Sequence, residues 1–281
     1  MIRATAILAV GEDEDYLSNC LTHLIRQGLR FAVLDNSAGT MVRSTLDAPL
    51  FRQHLDCYRR IDRHPQFSLE EQLLAKDAIA SSLSCDWVVH LDVDEIMHPF
   101  IEGETLLEGL GRVDEAGFNV VNFDEFVFLP LNVDYEPDSR APQPIEHYYF
   151  FEPEPLRLMR AWKRNAGFSA LSSGGHVLRG ANLRVAPESM ALRHYIFRNQ
   201  AHAMSKYTTR RFATAELQRG WHRNRHGFQP EDFMFPPLSA LERMGDVGSV
   251  ALSRERPRRS HYWEWRSAQS HPDLSRVPQA T

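Results

Sequence analysis

Cys85-Asp86-Trp87-Val88-Val89-His90-Leu91-Asp92-Val93-Asp94-Glu95 is the stretch that decides how this 281-residue chain reads. Trp87 to Leu91 is an apolar run of strand length, rich in β-branched and aromatic residues. It stops in three carboxylates, Asp92, Asp94 and Glu95. Acids are disfavoured inside strands, so the pattern predicts a buried strand with acids at its C-terminal tip. Open α/β sheets place ligands at that tip. Asp92 and Asp94 are two residues apart and in extended chain would point the same way. Neighbouring carboxylates repel unless a cation lies between them. A hard divalent ion with oxygen ligands, Mg²⁺ or Mn²⁺, is the simplest such cation.

Upstream, residues 2–10 read as a first core strand, broken by Gly11. Glu12 to Asp15 then place negative charge where a helix start favours it. Tyr16, Leu17, Cys20, Leu21, Leu24 and Ile25 follow at helical spacing, and Gly28 fits a helix stop. Phe31 to Leu34 is a short strand running into Asp35-Asn36-Ser37, residues that also suit a plain turn. Residues 40–65 predict a helix around Met41 to Leu55 and a strand near Tyr58 to Ile61, and 69–84 a further helix. Strand and helix alternate through residue 98, the pattern of a doubly wound, mostly parallel sheet flanked by helices.

Downstream, 104–116 reads as a helix and Phe118 to Phe123 as a strand ending at Asp124-Glu125. Six prolines between 130 and 155 predict a long loop with extended segments. Strand-like pieces return at Leu156–Trp162, His176–Leu178 and Leu192–Ile196, followed by a helix from about Ala201 to Leu217. From about Arg254 the chain is rich in Arg, Ser and Pro, and its last dozen residues read as disordered.

The composition is that of an ordinary globular protein, 43% hydrophobic and 25% charged, long enough for a real core. A net charge of −5 argues against a general nucleic-acid binder. Only three of the 32 basic Lys and Arg residues are lysines: Lys76, Lys163 and Lys206. Cys20, Cys57 and Cys85 match neither a zinc spacing nor a disulfide framework, which suits a reducing cytosol. The apolar run at the N-terminus is too short to span a bilayer and lacks a signal-peptide cleavage site. A cytoplasmic protein without a transmembrane segment is expected, with room for peripheral membrane contact.

The order of these features resembles the GT-A glycosyltransferases, specifically the family-2-like group. Residues 85–95 are similar to that group's D-W-hydrophobic-D-x-D-E signature. Arg193-His194-Tyr195-Ile196-Phe197-Arg198-Asn199 with Lys206-Tyr207 is similar to its C-terminal H-Y-x-x-R-(S/N)…K segment. The likeness covers roughly residues 1–215. It implies a GT-A, Rossmann-like domain over 1–215, with a nucleotide-sugar half (1–98) and an acceptor half (99–215). Residues 216–281 would be a helical or irregular extension with a disordered tail.

The resemblance also implies roles. Asp92 and Asp94 would bind Mn²⁺ or Mg²⁺ with the diphosphate of a nucleotide-sugar, most simply a UDP-sugar, and His194 would complete the metal shell or touch the diphosphate. Val10, Glu12 and Asp35 would contact base and ribose, and Lys76 and Lys206 the donor. Glu125, or Asp124, would serve as the base that an inverting transfer needs to deprotonate a carbohydrate acceptor. The chain departs from the bacterial family-2 pattern in lacking a clear E-D base motif and a Q-x-x-R-W segment. The base, and inverting against retaining chemistry, therefore stay open. His90 reads as a core histidine, His176 as a candidate ligand, and Trp162, Trp221 and Trp263 as core residues or sugar-stacking platforms. Two other functions remain. One is a phosphohydrolase of the haloacid dehalogenase type, in which Asp92 would be the nucleophile. The other is an inactive GT-A-like binding module.

Overall fold

The computed structural model describes residues 2–131, 145–222, 225, 227–229, 234–245 and 251–265. Its elements run β1 (Ala4–Val10), α1 (Leu17–Arg26), β2 (Arg30–Asp35), α2 (Met41–Leu46), α3 (Pro49–Arg52), β3 (Leu55–Arg60), α4 (Leu69–Ser82), β4 (Trp87–Asp92) and β5 (Glu95–His98). They continue with α5 (Leu106–Glu115), β6 (Val120–Leu129), β7 (His147–Phe151), β8 (Met159–Lys163), β9 (Met190–His194), α6 (Gln200–Thr209), α7 (Thr214–Gln218) and β10 (Glu242–Arg243).

The fold is mixed α/β, as expected. Strands β3, β2, β1 and β4 lie side by side and parallel. Beyond β4 the sheet continues through antiparallel pairings to β8, β6, β7 and β10. β9 runs parallel to β6 and pairs antiparallel with β5. One sheet of ten strands among the described residues thus joins both halves of the chain.

Burial follows the side-chain alternation. Ala4, Ala6, Leu8 and Val10 of β1 and Trp87, Val89 and Leu91 of β4 pack into one cluster with Leu17, Leu21 and Leu24 of α1 and Leu110 of α5. Ile7 and Ala9 of β1 and Val88 of β4 face the opposite cluster, with Ala75 and Ile79 of α4. Both faces of these strands are covered by helices. That is why they read as continuous apolar runs instead of alternating with polar residues.

Several expected elements come out differently. The expected 41–55 helix is two short ones, α2 and α3, because Pro49 starts a new helix after the extended Ala48. The expected strand at 118–123 extends through Leu129, which puts Asp124 and Glu125 in mid-strand. Ion pairs make that tolerable: Arg254 on Asp124, Arg157 and His194 on Glu125. The helix from Ala201 to Leu217 breaks at Arg210, whose backbone is extended (ψ 126°), where Phe212 bridges to Phe67. The His176–Leu178 strand is an irregular loop, and the Arg-rich stretch after Arg254 packs, with Arg258 bridging to Phe151 and Tyr262 and Trp263 buried. The loop expected over 130–155 contains β7, and its residues 132–144, like the last dozen residues expected to be disordered, lie outside the described residues. No described helix is long and apolar enough to cross a membrane.

Candidate active site

The strand tip turns where the sequence predicted extended chain. β4 ends at Asp92, Val93 and Asp94 form a turn, and β5 starts at Glu95. The Glu95 carboxylate accepts the Asp92 N–H at 2.8 Å and pins this turn. Asp92 and Asp94 therefore do not share one strand face, and each meets its own lysine.

Asp92 follows His90 on the α4 side. Lys76 of α4 reaches in and donates to Asp92 Oδ1 (3.1 Å), the Leu91 carbonyl (3.2 Å) and His90 Nε2 (2.5 Å). Burial, with Lys76 beside it, holds His90 well below its usual range, so it is a neutral acceptor here, a core histidine as expected. Burial also lowers Lys76, but the Asp92 charge opposes that. The Lys76 side chain is 7% exposed, whereas that of Asp92 is 49% exposed and opens into the cavity above.

Asp94 sits behind, 6% exposed, and pairs with Lys206 of α6 at 3.2 Å. Lys206 also holds Asp13 at 2.7 Å, and His202 holds Asp13 at 3.1 Å from the same helix. His194, at the end of β9, joins two carboxylates: Nδ1 lies 2.7 Å from Glu125 Oε1, and Nε2 3.7 Å from Asp94 Oδ2. Burial would lower its pKa, but these two carboxylates push it up to about 10. Arg157 pairs with the other oxygen of Glu125. Against the opposing effect of burial, Arg157 and His194 hold Glu125 well below the carboxylate range.

Glu95 behaves differently. Burial dominates there and, although Arg160 pairs with it at 3.0 Å, raises it to about 7.

A cavity of about 510 Å³ opens over these groups. Glu12, Lys76, Asp92, Asp94, Glu125, His194 and Lys206, all singled out in the sequence, line it together. Val10 does not, being fully buried, with the neighbouring Gly11 and Glu12 on the wall instead. Asp35 is also off the wall. Its carboxylate is occupied by the Ser37 N–H (2.9 Å) and hydroxyl (2.7 Å), the Tyr58 hydroxyl (2.7 Å) and Arg60 (3.4 Å). Asp124 is excluded by alternation: side chains at adjacent strand positions face opposite ways, and it pairs with Arg254 at 2.6 Å on the other face.

Of the three tryptophans, only Trp221 reaches the cavity; Trp162 and Trp263 are buried in hydrophobic clusters. Trp221 packs against Gly174, and at Gly175 (φ 89°) an added Cβ would lie 3.0 Å from Leu73 and 3.4 Å from His90. Only glycine lets this loop lie so close over α4 and β4. It carries His176 into the cavity.

Sequence reasoning missed Arg157, Arg160 and His261, which line the cavity together with Arg210 and Arg225, two residues of basic runs that read from sequence as a solvated face or an acidic-partner surface. With 29 arginines in the chain, no spacing separates these from solvated ones. Glu12 is clamped across the cavity mouth by Arg210 (2.5 Å) and Arg63 (3.1 Å).

Among the described residues no three His, Cys, Asp or Glu side chains converge as a metal-binding group. Asp92 nonetheless fits a hard divalent ion, having a half-open carboxylate with only one oxygen engaged by Lys76. His194 turns both ring nitrogens to carboxylates, Nδ1 to Glu125 at 2.7 Å and Nε2 to Asp94 at 3.7 Å, so it meets the acidic turn through Asp94.

No known family's sequence profile matches the chain, and no curated protein sequence matches it. Among solved structures, the chain is similar to S. aureus TarS, with 12% identity and a TM-score of 0.42 over 69% of this chain and 37% of that one. It is similar to S. aureus TarS 1–349 in complex with UDP, with 10% identity and a TM-score of 0.44 over 74% and 63%. A third is the mannosyltransferase PcManGT from Pyrobaculum calidifontis in complex with GDP-Man and Mn²⁺, with 11% identity and a TM-score of 0.39 over 74% and 63%. The chain thus spans less than two thirds of the length of each. At identities this low, function has to be read from this chain's own residues.

Proposed function

We propose that this protein is a glycosyltransferase that uses a nucleotide-sugar, most simply a UDP-sugar, with Mn²⁺ or Mg²⁺. The carrying observation is the half-open Asp92 carboxylate at the C-terminal tip of a parallel strand, on the floor of a cavity that also holds Lys76, Lys206 and Arg210. A diphosphate needs such a set: a carboxylate to share a divalent ion, and cations around it. Asp92, with Asp94 behind it, would hold the ion. When bound, the ion would stabilise the charge that builds on the departing diphosphate.

The chain's residues supply the rest. Lys76 fixes the rotamer of Asp92, and Lys206 ties the Asp94 turn to Asp13 and α6. Protonated His194 places a positive charge beside the turn. In the transfer, the bond between the anomeric carbon and the diphosphate oxygen breaks, and its electron pair leaves with the nucleoside diphosphate. The acceptor hydroxyl oxygen bonds to that carbon and its proton passes to Glu125, which Arg157 and His194 keep ionised at neutral pH. Such a direct displacement inverts the anomeric configuration. In this reading residues 1–98 hold the nucleotide, 99–215 present the acceptor, and 216–281 are an extension whose Trp221, Arg225 and His261 reach the cavity. The location would be the cytoplasm.

The test is release of nucleoside diphosphate from a panel of UDP- and GDP-sugars with Mn²⁺ and mixed glycan acceptors. Acceptor-dependent release, reduced roughly 100-fold or more in Glu125→Gln, is expected. Phosphate-ester turnover with no sugar donor would instead establish the phosphohydrolase reading.

A further inference from the structure

One wall of the cavity carries positive charge that a nucleotide diphosphate at Asp92 leaves unused. Arg157, just before β8, and Arg160, within it, both line the cavity. Each has one carboxylate partner, Glu125 and Glu95 respectively, yet the Nε of each guanidinium is buried with no hydrogen-bond partner in the structure. A buried donor without an acceptor is destabilising, more so when charged, so two on one wall suit a ligand that brings acceptors. Arg225 lines the same cavity. Its cationic head lies 5.7 Å from the Tyr207 ring centre and has no carboxylate partner among the described residues. His176 and His261 complete the wall. His176 is lowered from its ordinary value by the shelter of the cavity, with Arg157 and Arg160 adding to the effect. Burial likewise holds His261 well below its usual range, with Arg225 and Arg157 adding to the effect. Both imidazoles are thus neutral hydrogen-bonding groups in a field of positive sign. The Tyr149 hydroxyl lies 2.8 Å from His261 Nδ1, and burial holds that phenol protonated. Nδ1 is therefore the acceptor, which leaves the His261 proton on Nε2.

We propose that the substrate carries an anionic group besides the diphosphate, a carboxylate or phosphate ester, seated against Arg157, Arg160 and Arg225. The proposal rests on the nucleotide-sugar reading for the place of the diphosphate. Two sources supply the same chemistry: a donor whose sugar is a uronic acid, or an acceptor glycan bearing uronate or phosphate.

Calorimetry on the full chain with Mn²⁺ separates them. One arm titrates UDP-glucuronate against UDP-glucose. The other titrates glucuronate and glucose 6-phosphate against glucose, with no nucleotide present. In one arm the anionic member should bind about tenfold or more tighter than its neutral counterpart, the scale of one charge-assisted contact. Arg225→Gln should cut that preference at least about fivefold, and Arg225→Lys should keep part of it. Arg225 has no carboxylate partner among the described residues, so its replacement strands no described acid. A preference in the first arm places the anion on the donor sugar, and one in the second places it on the acceptor. Equal or undetectable binding of anionic and neutral compounds in both arms overturns the proposal, as does a preference that Arg225→Gln leaves intact. Anion preference in the second arm without any UDP binding supports this wall while overturning the nucleotide reading, and UDP binding with no anion preference does the reverse.

Discussion

Replacing Lys206 by methionine probes the ion network that fixes the Asp94 turn. The Lys206 side chain is 6% exposed, and its ammonium donates to Asp13 (2.7 Å), Asp94 (3.2 Å) and the Ile196 carbonyl (3.3 Å). Methionine fills most of the space but supplies no charge, so Asp13 and Asp94 would be left buried with weaker partners. Removing one member of a buried ion pair costs about 3–5 kcal/mol, because the remaining charge is stranded. His202 at 3.1 Å from Asp13 and His194 at 3.7 Å from Asp94 soften the loss. The lower end, about 3 kcal/mol, is therefore expected, a large part of the 5–15 kcal/mol that holds a typical domain. Urea unfolding at pH 7 followed by circular dichroism measures it. Combining Lys206→Met with Asp94→Asn should recover roughly 1–2 kcal/mol, since the second change removes one of the stranded charges. A Lys206→Met variant within about 0.5 kcal/mol of the parent would refute the reasoning, because surface substitutions alone cost that little.

Single sites give three further predictions. Gly175→Ala should destabilise by about 1–3 kcal/mol, since it places a Cβ at a positive φ and 3.0 Å from Leu73; an unchanged melting temperature contradicts this. His98, pushed down to about 2 chiefly by burial, and His23, lowered by burial as well, stay neutral in the fold. Below pH of about 6.5 the unfolded chain takes up protons that these two histidines refuse in the fold, so their contribution to stability should fall by up to about 1.4 kcal/mol per pH unit per histidine as pH drops. His98→Phe should make that fall shallower, and an unchanged slope in urea titrations would count against it. Asp124→Asn should leave transfer within about threefold of the parent while Glu125→Gln lowers it roughly 100-fold, because only Glu125 faces the cavity; equal losses in both variants would remove Glu125 from its assigned role.

The strands that place the site were legible because their burial is continuous. Trp87 to Leu91 and the apolar run ending at Val10 lie between helices on both faces, so almost every position is apolar and the stop at Asp92 stands out. What stayed hidden depends on contacts distant in sequence. Nothing in Tyr207 to Phe212 marks a helix end, yet α6 stops there because Phe212 reaches Phe67 and Arg210 reaches Glu12. The Arg-, Ser- and Pro-rich composition after Arg254 hid a segment that packs against β7 and delivers His261 to the cavity. Asp35 looked like a ligand contact at a strand end, but its acceptor positions are spent on Ser37, Tyr58 and Arg60. The turn at Val93–Asp94 changes the choice of experiment as well. The natural first variant from the sequence is Asp94→Ala, yet Asp94 is buried against Lys206 and His194, so that change would take one of two carboxylate partners from each of two buried cations. Asp92 is half exposed but is the one carboxylate that Lys76 meets among the described residues, so Asp92→Asn, which keeps an oxygen to accept from Lys76, is the milder change.

The central claim is tested most directly by calorimetric titration of UDP into the purified protein, with and without Mn²⁺, alongside Asp92→Asn. The account predicts binding that requires Mn²⁺ and that Asp92→Asn weakens by about tenfold or more while circular dichroism shows an intact fold. Equal affinity in the variant, or binding indifferent to Mn²⁺, would contradict the assignment of Asp92. No binding of UDP, GDP or CMP under either condition would contradict the nucleotide-sugar reading itself.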